Sequence, residues 1–168
     1  MLYANSPFRT RLAAVAGVLI IGGGLSACGA DNGGEDGSAQ RVEIIEAAAL
    51  TDQLAALDLD KPGPSLGDMV VYSGGIQQDG RQIGHGGGSC QNIYIEGDEI
   101  TMQCVLTAQM ERGSLTMQAV WLEGTSPLDL AITGGTGAYR SATGTARFWD
   151  INTPDERMRA EVILPREE

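Results

Sequence analysis

The strongest constraint on the fold is a strict alternation near the middle of the chain. Ile100, Met102, Cys104, Leu106, Ala108 and Met110 alternate with Thr101, Gln103, Val105, Thr107 and Gln109. Successive side chains of a β-strand point to opposite faces, so this pattern makes a strand with one oily and one wetter face. A helix would scatter both sets around its circumference. Leu115, Met117, Ala119 and Trp121 repeat the pattern after Glu111-Arg112-Gly113-Ser114. A four-residue turn there sets Met110 opposite Leu115, Leu106 opposite Ala119 and Cys104 opposite Trp121, with both apolar sets on one face. Thr101, Gln103, Thr107, Gln109, Thr116 and Gln118 then form the solvated face.

The preceding hairpin is read the same way. Gly97-Asp98 is a turn signal, and folding about Gly97 places Cys90 opposite Cys104, Asn92 opposite Met102 and Tyr94 opposite Ile100. Opposed cysteines fit either a cross-strand disulfide in an oxidising compartment or two free thiols in an apolar interior. Strand patterns between Gly, Asp and Pro signals fall at 41–47, 67–77, 81–95, 99–110, 115–123, 128–133, 142–150 and 157–164. Eight such strands predict an all-β domain over 41–168, an eight-stranded antiparallel β-barrel, because closure removes aggregation-prone edges. A barrel of that size is either filled by side chains or holds one small ligand. Glu46 to Leu57 is rich in Ala and Leu and is followed by Pro62-Gly63-Pro64. Propensity predicts a crossover at 46–61 with a short helix over one barrel mouth.

The N-terminus reads as an address. Arg9 and Arg11 precede the apolar run from Leu12 to Ile21, and Leu25-Ser26-Ala27-Cys28 follows. A charged start, a short apolar core and small residues before a cut site describe a secretory signal peptide over 1–27. The run is shorter than the ~20 apolar residues of a membrane span. Leu-Ser-Ala-Cys resembles the lipobox of bacterial lipoproteins. That resemblance implies cleavage before Cys28, lipidation of its sulfur and a cell-membrane, lipid-anchored location outside the cytoplasm. Residues 28–40 are acidic, Gly-rich and polar, a flexible tether.

Composition narrows the function. The net charge is −11, and loss of Arg9 and Arg11 with the leader takes it to −13. Such a surface repels phosphate backbones, so no nucleic-acid partner is expected. One His and three Cys leave too few soft ligands for an ordinary zinc site. Asp31, Glu35 and Asp36 lack the EF-hand spacing. No metal or cofactor is expected.

Three blocks then point to a family. Gly67-Asp68-Met69-Val70-Val71-Tyr72, the stretch from Gly84 to Cys90, and Ala131-Ile132-Thr133-Gly134-Gly135-Thr136-Gly137-Ala138-Tyr139-Arg140-Ser141-Ala142-Thr143-Gly144 resemble signature blocks of the allene oxide cyclase barrel group. The last block is also similar to plant dirigent proteins, and the order resembles bacterial spirotetronate cyclases. The resemblance spans about 67–164. It implies an eight-stranded barrel whose apolar cavity shapes a flexible, unsaturated substrate during ring closure or coupling. It also implies a pocket carboxylate at Glu43 and pocket side chains at Tyr72, Cys90 and Trp121. The water-holding Asn, Ser and Pro of the plant enzymes fall near Ile45, Thr51, Asp52 and Gly74, which argues against allene oxide cyclisation itself.

The candidate site is therefore Glu43 as the electrostatic or catalytic group, with Tyr72, Cys90, Tyr94, Met102, Met117 and Trp121 around a hydrophobic ligand. Each has a plainer reading: Glu43 as a solvated strand carboxylate and the others as filled core. Gly134-Gly135-Thr136-Gly137 lacks the Lys-Ser/Thr ending of a phosphate loop and reads as a tight turn. His85, the only imidazole, has no nucleophile motif beside it and reads as an exposed residue in a Gly-rich bend. Three functions follow: an isomerase or cyclase, a lipoprotein that binds a hydrophobic small molecule without converting it or serves as a scaffold, or a filled barrel acting through its acidic exterior in a protein assembly. Association into a homo-oligomer is left open.

Overall fold

The computed structural model describes residues 40–165. The leader over 1–27, Cys28 and the tether as far as residue 39 lie outside the described residues. Eight strands run in order: β1 Arg41–Leu57, β2 Met69–Gln78, β3 Arg81–Glu96, β4 Glu99–Met110, β5 Gly113–Leu122, β6 Leu128–Gly135, β7 Thr143–Trp149 and β8 Arg157–Leu164. Each pairs antiparallel with the next, and β8 pairs back onto β1, so the sheet closes into the expected barrel. A single 3-10 turn, Gly137–Tyr139, interrupts the β6–β7 connection.

The expected crossover helix at 46–61 is not formed. β1 runs on through Leu57, and its second half pairs with β2 from Ala48 opposite Gln77 to Leu57 opposite Met69. Helix preference is worth only tenths of a kcal/mol per residue for these side chains. A neighbouring strand that supplies a ladder of backbone hydrogen bonds overrides it. The register shifts between Thr51 and Gln53, a bulge at Asp52, which lets the long strand bend.

Two expected registers are corrected. β4 and β5 meet through the two-residue turn Glu111-Arg112, so Met102 faces Trp121, Cys104 faces Ala119 and Leu106 faces Met117. The shift is two residues from the expectation, which preserves the faces. Gly113 makes the tight turn possible: its φ is +143°, and a side chain there would collide with the Thr136 carbonyl. In the β3–β4 hairpin Cys90 faces Cys104 and Asn92 faces Met102, but a bulge at Ile93 sets Tyr94 opposite Thr101 instead of Ile100. Tyr94 consequently turns outward, 55% exposed, and donates to Glu96. The Gly134–Gly137 block, expected as a tight turn, is only partly one: Gly134 and Gly135 end β6 and pair with Thr116 and Leu115, and Gly137 opens the 3-10 turn, with φ of +148° at Gly134 and +58° at Gly137.

The two ends of the barrel differ. Ile45, Leu115, Ile132, Tyr139, Val162 and Leu164 are buried at the end that carries the 111–112 and 136–142 connections, and they plug it. The opposite end, with connections 58–68, 97–98, 123–127 and 150–156, is where the interior is hollow.

Candidate functional site

Residues of all eight strands surround a cavity of about 120 Å³. Tyr72, Cys90, Met102, Met117 and Trp121 all line it, as do Leu130, Phe148 and Met158. The interior is thus neither plugged solid nor the several-hundred-Å³ void of a typical drug-sized site. An engineered protein cavity of ~150 Å³ accepts benzene, so this chamber matches a single ring. Its rim carries Glu123, Ile151 and Asn152. Trp121 is fixed in the wall by its indole N–H, which donates to the Thr125 carbonyl at 2.9 Å. Cys90 and Cys104 form a disulfide.

Besides Glu123 at the rim, two titratable side chains, Tyr72 and Glu156, line this oily space. Burial, with the Glu156 charge second, pushes the Tyr72 hydroxyl well above the ordinary phenol range. Burial also raises the Glu156 carboxyl, and the Asn152 backbone N–H, donating to Oε2 at 2.9 Å, only partly offsets it. Desolvation disfavours a carboxylate, so Glu156 is poised to hold and release a proton nearer neutrality than a surface Glu. Glu156 is held in place by its own backbone: its carbonyl accepts from the Ala49 N–H at 3.0 Å, at the point where β8 leaves β1. Sequence reasoning missed Glu156. The available signal was parity, because residues 156, 158, 160, 162 and 164 share one side of the β8 pattern.

Glu43, the carboxylate implied by the resemblance, does not line the chamber. It sits near the plugged end, where Arg112 Nη1 donates to both its oxygens at 3.0 Å and the Tyr139 hydroxyl donates to Oε1 at 3.2 Å. The Arg112 guanidinium also stacks 5.4 Å from the Tyr139 ring centroid. Burial first, and the Glu43 charge next, push the Tyr139 hydroxyl up, which keeps it a donor. The physical reason for the difference is strand length: β1 crosses the whole barrel, and position 43 lies near its start while the hollow begins at Ala49. Tyr94 is likewise outside, on the outer wall.

His85 also lies on the outer wall. Asp52 accepts from Ser73 Oγ at 2.7 Å and meets His85 Nε2 at 3.0 Å, contacts that hold the Asp52 carboxyl below the usual range, the serine bond contributing most. The carboxylate stands between hydroxyl and imidazole. A serine nucleophile needs the imidazole in the middle, so this trio braces β1, β2 and β3 and does not build a hydrolase relay. Among the described residues no group of His, Cys, Asp and Glu has the arrangement of a metal site, and no helix is long and apolar enough to cross a membrane.

The family model described as the allene oxide cyclase barrel like domain matches residues 45–164. Among solved structures, a pyocyanin demethylase is 31% identical; the match covers 71% of this chain and 99% of that one, with a TM-score of 0.68. A pterocarpan synthase dirigent protein is 17% identical over 77% of this chain and 88% of its own, with a TM-score of 0.60. The Diels Alderase AbmU from Streptomyces koyangensis is 18% identical over 78% and 71%, with a TM-score of 0.58. The last two speak for the shared fold alone. No curated protein matches the sequence.

Proposed function

The chain belongs to the allene oxide cyclase barrel-like family, and from that premise we propose that its chamber takes a compact, unsaturated, largely apolar small molecule and steers its isomerisation or ring closure. The observation that carries this reading is the placing of Tyr72 and Glu156 together in a mostly apolar cavity, both pushed up by burial. A 31% identical relative named pyocyanin demethylase supports the small-molecule part of this reading.

For an isomerisation, the Glu156 carboxylate removes a proton from carbon next to a conjugating carbonyl. The Tyr72 hydroxyl hydrogen-bonds the oxygen on which negative charge collects. The Glu156 carboxylic acid then returns the proton to the far end of the conjugated system. One C–H bond breaks, one forms, the double bond moves, and the oxidation state is unchanged. For a pericyclic closure no proton moves, and Met102, Met117 and Trp121 contribute by holding the reacting ends together.

Attachment of the barrel to a membrane through lipid on Cys28, outside the cytoplasm, completes the proposal. It also favours the second reading, a carrier that retains its ligand unchanged, because biosynthetic ring closures are usually intracellular. Cyclohex-3-en-1-one, a single-ring probe sized to the chamber, separates the two. The expected result is conversion to cyclohex-2-en-1-one with deuterium incorporated from D2O, and a loss of roughly 10²–10⁴-fold in Glu156→Gln. Saturable binding without conversion would favour the carrier. Neither binding nor conversion would overturn the site.

A further inference from the structure

A second space, about 240 Å³, lies beside the chamber under the 58–68 connection. Its apolar walls include Leu57, Pro64, Met69 and Ile100, and Val70, Met102 and Glu123 line both spaces. Shared walls make them neighbours. Resting on the chamber reading above, we infer that this vestibule is the second compartment of one ligand site, and that the ligand has two parts. A compact unsaturated ring fills the chamber, and an apolar tail of a few carbons, uncharged or cationic at its end, lies under the 58–68 connection.

Three observations carry this. The first is volume: the chamber is sized for one ring, and the larger space lies outside it. The second is the way the roof is held. Asp68 accepts from the Leu59 N–H at 3.0 Å, the Ser65 N–H at 2.7 Å and Ser65 Oγ at 2.8 Å, which holds its carboxyl below the usual range, the Leu59 bond contributing most. Asn92 joins the roof to β3: its Nδ2 donates to the Ser65 carbonyl at 3.2 Å, its N–H to the Asp68 carbonyl at 2.8 Å, and its carbonyl accepts from the Gly67 N–H at 3.0 Å. A span fastened at so many points keeps a space open that unfastened chain would close, since empty apolar space forfeits contacts. The third is charge. Asp58, Asp68 and Glu123 line the vestibule and Glu156 lines the chamber, so a tail ending in a carboxylate meets repulsion whereas an alkyl or ammonium end does not.

Calorimetric titration of the full chain with four probes tests the inference: phenol, 4-pentylphenol, and 4-pentylphenol carrying a terminal carboxylate or a terminal ammonium. Each buried methylene is worth about fourfold, so a pentyl tail with three to four of its carbons buried is expected to tighten binding roughly 100-fold over phenol. The carboxylate end should reverse most of that gain and the ammonium end should keep it. Leu57→Trp, which fills the vestibule from the exposed half of β1, should cut the ratio of pentylphenol to phenol affinity below ~10. The ratio normalises for any general change in the fold. Phenol binding with a tail effect under ~3-fold, or a ratio untouched by Leu57→Trp, overturns the second compartment and leaves the chamber standing. No binding of either phenol overturns the chamber reading and this inference with it.

Discussion

Cys90 and Cys104 are register partners on β3 and β4 and are joined by a disulfide, with Cys90 itself part of the chamber wall. The bond spans a sequence separation of 14. Closing a loop of that size restricts the unfolded chain by ~3 kcal/mol in the chain-entropy account. Replacing both residues with Ala should therefore lower the unfolding free energy by about 2–3 kcal/mol in urea titration. An unchanged midpoint for the double variant would show that the cross-link contributes nothing to stability.

Glu156 should leave a mark on the pH dependence of stability. Its folded-state pKa lies above the unfolded value of 4.5, so the folded protein binds more protons in that interval. Stability from this group is present at or below pH 4.5 and falls as the pH rises through the raised value. The carboxyls held low, Asp52, Asp68 and Asp129, act with the opposite sign and below 3.8. Between pH 4.5 and 7 the wild-type urea midpoint should consequently fall with pH. Glu156→Gln keeps the acceptor for the Asn152 N–H and should flatten that slope. Equal slopes in the two proteins would contradict the buried-carboxyl account.

The inner face of the barrel was largely legible in the sequence because strand parity is local. Met102, Met117 and Trp121 could be placed from alternation alone, and the limits read for β4 and β8 match the structure. What escaped depended on partners far along the chain. The Ala-Leu stretch after Glu46 looks helical until β2 lies beside it. Tyr94 changes sides because one extra residue, Ile93, enters its strand, and no local pattern announces a bulge. Glu156 follows an irregular connection, so its inward parity could be noticed only by extending β8 backwards. The hollow is legible only in coordinates, since the same alternation serves a filled barrel.

Adjacent glycines on β2 should respond differently to a methyl group. At Gly74, paired with Thr51 beside the Asp52 bulge, a Cβ would overlap the Leu50 carbonyl. At Gly75 the nearest atoms are those of the Gln82 side chain at an ordinary 3.9 Å. Gly74→Ala should cost about 1–3 kcal/mol as an overpacking change. Gly75→Ala should be neutral or stabilise by up to ~1 kcal/mol through the unfolded chain. The comparison is read from paired urea midpoints, and equal effects would refute the close approach of β1 and β2.

Glu43 provides the sharpest separation of the two barrel ends. The resemblance assigns it a pocket role, whereas the structure engages it with Arg112 and Tyr139 near the plugged end. Glu43→Gln removes the charge and keeps an acceptor for both donors. The ion pair is partly exposed, with Arg112 48% and Glu43 25% accessible, so its loss should cost no more than ~1 kcal/mol. That cost should shrink further in 1 M salt, where screening shortens to ~3 Å. Conversion of cyclohex-3-en-1-one should stay within about twofold of wild type, because Glu43 lines neither the chamber nor its rim, whereas Glu156→Gln loses it. A large loss of conversion in Glu43→Gln, with stability little changed, would move the reacting centre to the opposite end of the barrel and remove Glu156 from it.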